Sequence, residues 1–199
     1  MSAFTVLRAT QYRRMPWKNG GGETTEIAVG PPGAGLDDFA WRISMARIAS
    51  DGPFSAFAGV DRTLAVLSGD GVRLAIGDAA PVDLQVGDAP LTFPADVPTT
   101  ATLLGGAVTD LNVMTRRGAW RHRVETLRLA AGMSLAARPA TTVWWCAQGR
   151  ARLHSPAGSA TLDPGDACVV VDHPALIWEL ATPGSADLVQ VTLQAERHA

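Results

Sequence analysis

Thr63-Leu64-Ala65-Val66-Leu67-Ser68-Gly69-Asp70-Gly71-Val72-Arg73-Leu74-Ala75-Ile76 is the stretch that decides the architecture. Two apolar runs flank a turn of small and polar residues, and the spacing predicts a β-hairpin. A second version lies downstream, where Thr142-Val143-Trp144-Trp145 runs to Gly149 as Thr63-Leu64-Ala65-Val66 runs to Gly69. Three further landmarks repeat: Gly52 with Gly132, Gly87-Asp88 with Gly165-Asp166, and Asp110-Leu111 with Asp187-Leu188. Counting the hairpin glycines, the offsets are 80, 80, 78 and 77 residues. A nearly fixed offset over four landmarks marks two copies of one unit. Each copy is a set of short strands with turns at regular spacing, as a small barrel or jelly roll requires. The reading is all-β, with two barrels in tandem.

Composition agrees with many short strands. The 199 residues hold 20 Gly and 13 Pro, spread through the chain, and 47% are hydrophobic, enough for a real core. A net charge of −2 suggests neither a nucleic-acid surface nor an acidic tail. The first residues lack the basic and apolar regions of a signal peptide, and no apolar run approaches a membrane helix. The expectation is a cytoplasmic protein without membrane or nucleic-acid partners. Cys146 and Cys168 each sit in an apolar strand-like run and are expected as reduced, buried thiols.

Around the hairpin, residues 4–12 are read as a first strand, and Thr24–Val29 as a second. Trp41–Ile48 alternates: Trp41, Ile43 and Met45 share one face, and Arg42, Ser44 and Ala46 share the other. That second face can carry a polar site. Thr100–Leu104 and Thr109–Met114 read as strands, and only Gly118–Val124 carries a weak helical period.

Met15-Pro16-Trp17-Lys18-Asn19-Gly20-Gly21-Gly22-Glu23-Thr24-Thr25-Glu26-Ile27 has a different character. Three glycines are costly to order, so they suit backbone that approaches something closely or exposes several N–H groups. Lys18 adds a cation, and Asn19 both donates and accepts. The stretch reads as a corner for an anion or polar ligand. Asn-Gly-Gly-Gly is equally the composition of a plain turn between strands. It is no nucleotide phosphate loop, because no Gly-Lys-Ser/Thr follows.

On these residues the chain resembles the HutD/Ves family. Pro16-Trp17-Lys18-Asn19-Gly20-Gly21-Gly22 with Thr24 and Glu26-Ile27 carries the likeness. So do Trp41-Arg42-Ile43-Ser44, Asp51-Gly52-Pro53-Phe54-Ser55, Phe57, Gly59, Arg62, Asp110-Leu111-Asn112-Val113-Met114 and Arg116. The resemblance implies a metal-poor double cupin of RmlC-like jelly-roll barrels, associated with histidine utilisation, that binds a small metabolite rather than turning it over. With the repeat, it places one barrel at 1–116 and the other at 117–199, the N-terminus lending strands to the second.

The side chains support a binder better than a catalyst. The histidines are His122, His154, His173 and His198, with no His-x-His, so no metal or other cofactor is expected. Ser44 and Ser55 have no histidine near in sequence. What remains is a polar set: Trp17, Lys18, Asn19, Gly20, Gly21 and Thr24 from the motif, with Glu26, Arg42, Ser44, Arg62, Asp110, Asn112 and Arg116. Arginine's planar fork matches a carboxylate. The expected ligand is a small anionic metabolite; the family likeness suggests urocanate or N-formylglutamate. Three alternatives stand beside it. The carboxylates could pair with the arginines structurally. The barrel could be a metal-independent isomerase or lyase, with Glu26 or Asp110 as base. The protein could be a ligand-free scaffold. Exposed strand edges could also pair two copies into a homodimer.

Overall fold

The alternation of apolar and polar residues is realised as strand almost throughout. The computed structural model describes residues 4–17, 21–130, 133–136, 140–156, 158–171, 177–180 and 185–196. In chain order the strands are β1 (Phe4–Leu7), β2 (Arg13–Pro16), β3 (Gly22–Gly30), β4 (Trp41–Ile48), β5 (Gly52–Pro53), β6 (Val60–Ser68), β7 (Val72–Ile76), β8 (Val82–Leu84), β9 (Leu91–Pro94), β10 (Thr99–Leu103) and β11 (Val108–Arg116). They continue as β12 (Trp120–Ala130), β13 (Ser134–Ala136), β14 (Thr141–Gln148), β15 (Ala151–Ser155), β16 (Gly158–Leu162), β17 (Ala167–Val170), β18 (Ile177–Leu180) and β19 (Ser185–Ala195). A short 3₁₀ turn, Ala9–Gln11, is the one helical element among the described residues. No helix there is long and apolar enough to cross a membrane.

The chain divides into two compact units: Arg13–Arg121 with Glu196–Ala199, and Met1–Tyr12 with His122–Ala195. The first holds a six-stranded sheet, β2-β3-β4-β11-β6-β9, and a four-stranded sheet, β5-β10-β7-β8. Leu64, Val66, Phe93 and Val108 from the larger sheet pack against Val72, Leu74, Leu84 and Ala101 from the smaller. Each fully buried aliphatic chain of this kind contributes roughly 1.5–3 kcal/mol relative to an exposed one.

The expected 63–76 hairpin is not a ladder pair. β6 pairs with β11 and β9, whereas β7 pairs with β10 and β8. The turn at Ser68–Gly71 therefore carries the chain from one sheet to the other. Gly69 and Gly71 take φ of 98° and 105°, and a Cβ on Gly69 would lie 2.5 Å from the Ala107 carbonyl. A tight turn between apolar runs looks the same locally whether it closes a hairpin or switches sheets. Long-range pairing decides: β6 takes β11 and β9 as its edge neighbours, and Arg62–Val66, buried at every position, is covered on both faces.

The second unit repeats the plan with sheets β1-β17-β14-β19-β12 and β13-β18-β15-β16. Its core gathers Leu129, Trp144, Leu153, Leu162, Val170 and Leu188. Gly149, with φ of 77°, would bring a Cβ within 2.6 Å of the Ser185 carbonyl, the same relation that Gly69 has to Ala107. One landmark of the repeat needs correction. Val66 lies opposite Asp110, and its counterpart Cys146 lies opposite Leu188, not Asp187. A one-residue slip reverses the face of a strand side chain. Asp187 accordingly faces outward to Arg128, and an apolar residue takes the place that Asp110 holds in the first unit.

Two further expectations change. The first strand ends at Leu7, because Arg8 and Ala9 are diverted to Asp166: Arg8 Nη1 donates to Oδ2 at 2.6 Å and the Ala9 N–H to Oδ1 at 2.9 Å. Gly118–Val124 is not helical; Trp120 opens β12. Cys146 and Cys168 are buried and free, and burial pushes their thiols up to about 11 and about 12.

Candidate functional site

The polar face expected on β4 opens into a cavity of about 620 Å³ in the first unit, within the range of small-molecule pockets. Cross-strand register builds it. Asn112 lies opposite Ser44 and Leu64; Met114 lies opposite Arg42 and Arg62; Asp110 lies opposite Ala46. Directly opposed residues share a face, so β4, β11 and β6 aim Arg42, Ser44, Asp110, Asn112 and Arg62 into one space. Apolar residues ring this polar floor: Met15, Pro16 and Trp17 from β2 and its loop, Leu36 from the β3–β4 loop, and Phe54 and Phe57 beyond β5.

The two arginines are held differently. Arg42 Nε donates to Glu26 Oε2 at 2.7 Å, and Nη1 donates to Ser44 Oγ at 3.3 Å. Arg62 Nη2 donates to the Ser55 carbonyl at 3.0 Å. Its guanidinium carbon lies 5.2, 5.4 and 5.9 Å from the ring centres of Phe54, Phe57 and Phe93. Three aromatic faces hold a cation by its charge and fix its plane. Burial lowers the Arg62 pKa to about 10, Asp110 opposing this and Arg42 adding to it, so the group stays cationic at neutral pH.

Asp110 is the opposite case. Burial raises its carboxyl to about 7, against the pull of Arg62, the Ala46 N–H and the Asn112 amide. Asn112 Nδ2 donates to Asp110 Oδ1 at 2.7 Å. Three buried atoms then stand without a partner on this floor: Arg42 Nη2, Arg62 Nε and Asp110 Oδ2. Each such atom costs roughly 1–3 kcal/mol when left unmet. All three are closed off from the cavity by their neighbours, so this unmet polar demand lies within the floor itself.

The raised carboxyl has a consequence for stability. A folded pKa near 7 against an unfolded one near 3.8 means the native state binds the proton more tightly. Asp110 therefore contributes stability below about pH 4 that is lost as pH rises toward 7. Asp110→Asn should remove this slope. Chemical denaturation at pH 5 and pH 8 checks it: the variant should gain on the wild type at pH 8.

The residues expected from the sequence divide into several groups. Trp17, Thr24, Arg42, Ser44, Arg62, Asp110 and Asn112 line the cavity. Glu26 does not line it and reaches the site through Arg42. Gly21 offers its carbonyl to the Ala49 N–H at 2.9 Å, a strand contact. Lys18, Asn19 and Gly20 lie outside the described residues, as does His173. His154 lies on the exposed face of β15, with Nδ1 2.8 Å from Ser159 Oγ.

Arg116 is not brought to the cavity. It donates to the carbonyls of Phe39 and Ala58, each at 3.1 Å, and of Asp37 at 2.5 Å, and lies over the Phe39 ring. It thus ties the loop bearing Leu36 to the segment bearing Phe54 and Phe57. Arg116→Ala should loosen both, costing about 1–2 kcal/mol and weakening ligand binding several-fold. Denaturation and calorimetric titration of the one variant read the two effects.

The glycine run also reads differently in three dimensions. Met15 lies opposite Thr24, and Pro16 opposite Glu23, so the motif closes a hairpin between β2 and β3. A Cβ on Gly22 would collide with the Arg47 carbonyl and touch the Trp17 ring. This glycine seats Trp17 against the sheet; it is a packing glycine. Trp17 Nε1 donates to Thr24 Oγ1 at 2.8 Å, which fixes the indole on the rim. Ala46 lines the cavity as the β4 alternation implies, and Met114 joins it as the period-two continuation of Asp110–Asn112, which the sequence reading leaves out of the site. Phe54, Phe57 and Leu36 carry no periodic signal, because they sit in irregular segments.

Cupin sites often hold a metal. Here two guanidinium groups occupy the floor, and no three His, Cys, Asp or Glu side chains converge among the described residues. That donor set does not fit a divalent cation.

Comparison with known proteins identifies the family. A Pseudomonas putida protein, described as an uncharacterized 21.2 kDa protein in the hutC 3′ region, is 44% identical over 63% of this chain and 65% of its own length. Protein Ves of Citrobacter koseri is 43% identical over 56% of this chain and 59% of its own. The match thus spans about three-fifths of these relatives. Among solved structures, a conserved protein of unknown function from Pseudomonas aeruginosa superposes with a TM-score of 0.89 at 32% identity, covering 96% of this chain and 98% of that one. HutD from Pseudomonas fluorescens, in a structure described as the formate condition, gives 0.79 at 28% identity, covering 98% and 100%. A cupin 2 barrel protein from Leptotrichia buccalis, at 12% identity and 0.60 over 92% of this chain and 96% of that one, shares the cupin fold alone. The HutD family model matches residues 9–188, and with that match the chain belongs to the HutD family of cupins.

Proposed function

We propose that the cavity binds a small carboxylate metabolite without turning it over, and that this binding serves histidine utilisation in the cytoplasm. The observation that carries the reading is the floor itself. Arg42 and Arg62 bring two guanidinium groups, from the strands on either side of β11, to one cavity. A ligand carboxylate would meet both with charge-assisted hydrogen bonds. The apolar rim would take an unsaturated or methylene body. Urocanate and N-formylglutamate fit this description, and the hut context of the named relatives supports the pathway. Each compact unit is taken as one cupin barrel, the first carrying the working pocket. Calorimetric titration with urocanate, N-formylglutamate, glutamate and formate tests the reading. Saturable binding of at least one acid is expected, and heat signals no different from buffer for all four would refute it.

A second reading has its own observation. Asp110 has an ionisation near neutrality, lies among the residues that line the cavity and has the Arg62 guanidinium bearing on it. That is a serviceable general base with cations placed to stabilise an enediolate. Proton NMR of each bound acid in D₂O separates the readings: loss of a C–H signal adjacent to the carboxylate would mark a lyase or isomerase, and retention marks a binding protein.

A further inference from the structure

The charges around the cavity come close to balance before any ligand arrives. Among the described residues, the charged side chains that line it are Arg42, Arg62 and Asp110. Arg42 is already paired: its Nε meets Glu26 Oε2 at 2.7 Å, and its Nη1 goes to Ser44. Asp110, fully buried, draws on the charge of Arg62. Arg42, Glu26, Arg62 and Asp110 together therefore carry one positive charge when Asp110 is protonated and none when it is ionised. The neutral polar groups offer little to a second anion. Asn112 Nδ2 is held by Asp110 Oδ1, so the amide atom left over is Oδ1, which accepts and does not donate; it is not among the closed-off atoms. Trp17 Nε1 is spent on Thr24, and Arg62 Nη2 on the Ser55 carbonyl. Much of the remaining wall is apolar: Met15, Pro16, Leu36, Phe54 and Phe57.

We infer that the cavity is a monocarboxylate site: it takes one ligand carboxylate at Arg62 and discriminates against a second carboxylate on the same small molecule. This rests on the carboxylate reading above and narrows its ligand class. The first carboxylate is matched by a guanidinium held among three aromatic rings. A second would leave water to meet apolar side chains or the Asn112 oxygen, because no further cation lines the cavity among the described residues. Taking a carboxylate out of water without a counter-charge is among the costliest steps in binding. An acceptor oxygen facing it, and Asp110 behind, add repulsion. A neutral group of the same shape escapes both penalties.

The test compares diacids with analogues neutral at one end, by calorimetric titration into the full chain at neutral pH. N-formylglutamate is set against N-formylglutamine and N-formylisoglutamine, in which an amide replaces the side-chain or the α-carboxylate. Fumarate is set against its monoamide and its monomethyl ester. In at least one set a monoacid should bind roughly tenfold or more tightly than the diacid. Glu26→Gln keeps an acceptor for Arg42 but removes the charge, which leaves one more cation on the floor. In that variant, first shown to melt cooperatively, the preference should shrink by about threefold or more. Leu36→Lys, on the exposed rim, makes the same test from the mouth of the cavity where Glu26→Gln does not fold. A diacid within about threefold of its monoacid partners in both sets, or a preference that neither variant reduces, would overturn the inference while leaving the carboxylate site intact. Binding by none of these acids would remove the carboxylate reading and this inference with it.

Discussion

Arg62→Met is expected to weaken carboxylate binding by roughly 10- to 150-fold, while leaving the protein folded. The size follows from the environment. A charge-assisted hydrogen bond to a buried guanidinium is worth roughly 1.5–3 kcal/mol, and the ligand's charge would lose a cation held among three aromatic rings. Methionine fills similar volume among the three phenylalanines, so packing is kept. The substitution has a second signature. Arg62 is the largest influence holding the Asp110 carboxyl down. Without it that pKa should rise further above 7, which titration of the Asp110 carboxyl signal by NMR would register. An affinity within threefold of the wild type would remove Arg62 from the site.

The other large effect is on stability. Arg42→Met should cost about 3 kcal/mol or more, because it strands Glu26 in a mostly buried position. The pair is tight, at 2.7 Å, with side-chain exposures of 5% for Arg42 and 17% for Glu26. Removing one member of a buried ion pair leaves an uncompensated charge, at roughly 3–5 kcal/mol. Some relief offsets it, since Arg42 also repels Arg62. The double substitution Arg42→Met with Glu26→Leu should recover most of the loss, as apolar replacement of a whole pair often does. Urea denaturation of the single and double variants measures both. Equal stability of Arg42→Met and wild type would mean that Glu26 finds water and that the pair contributes little.

The sequence carried the site further than it carried the topology. Strict alternation in β4 foretold that Arg42, Ser44 and Ala46 share a face, since a strand's period leaves no other arrangement. Arg62, Asp110 and Asn112 were legible as polar residues inside apolar strands, where a charge is expensive unless it has work to do. Arg116 looks the same in sequence, yet the chain turns it toward three backbone carbonyls; its place at the end of β11, beside the rim loops, decides that. The Ser68–Gly71 turn failed for a different reason. Its residues specify a reversal and say nothing about which distant strand each arm will meet. The Asp110–Asp187 match failed by one residue, which in a strand is the difference between floor and solvent. Phe54 and Phe57 entered the sequence reading only through the family likeness, and their place on the cavity wall was unread because irregular segments have no period.

The most direct test of the account is calorimetric titration of the full chain and of Arg62→Met with the same panel of small carboxylates, each protein first shown to melt cooperatively. At a hundred times its dissociation constant, a ligand should add about 2.7 kcal/mol to wild-type stability, so a thermal melt in parallel guards against a silent heat. The account predicts saturable binding of at least one acid to the wild type and binding at least about tenfold weaker to folded Arg62→Met. Equal binding by both proteins, or by neither, would contradict it.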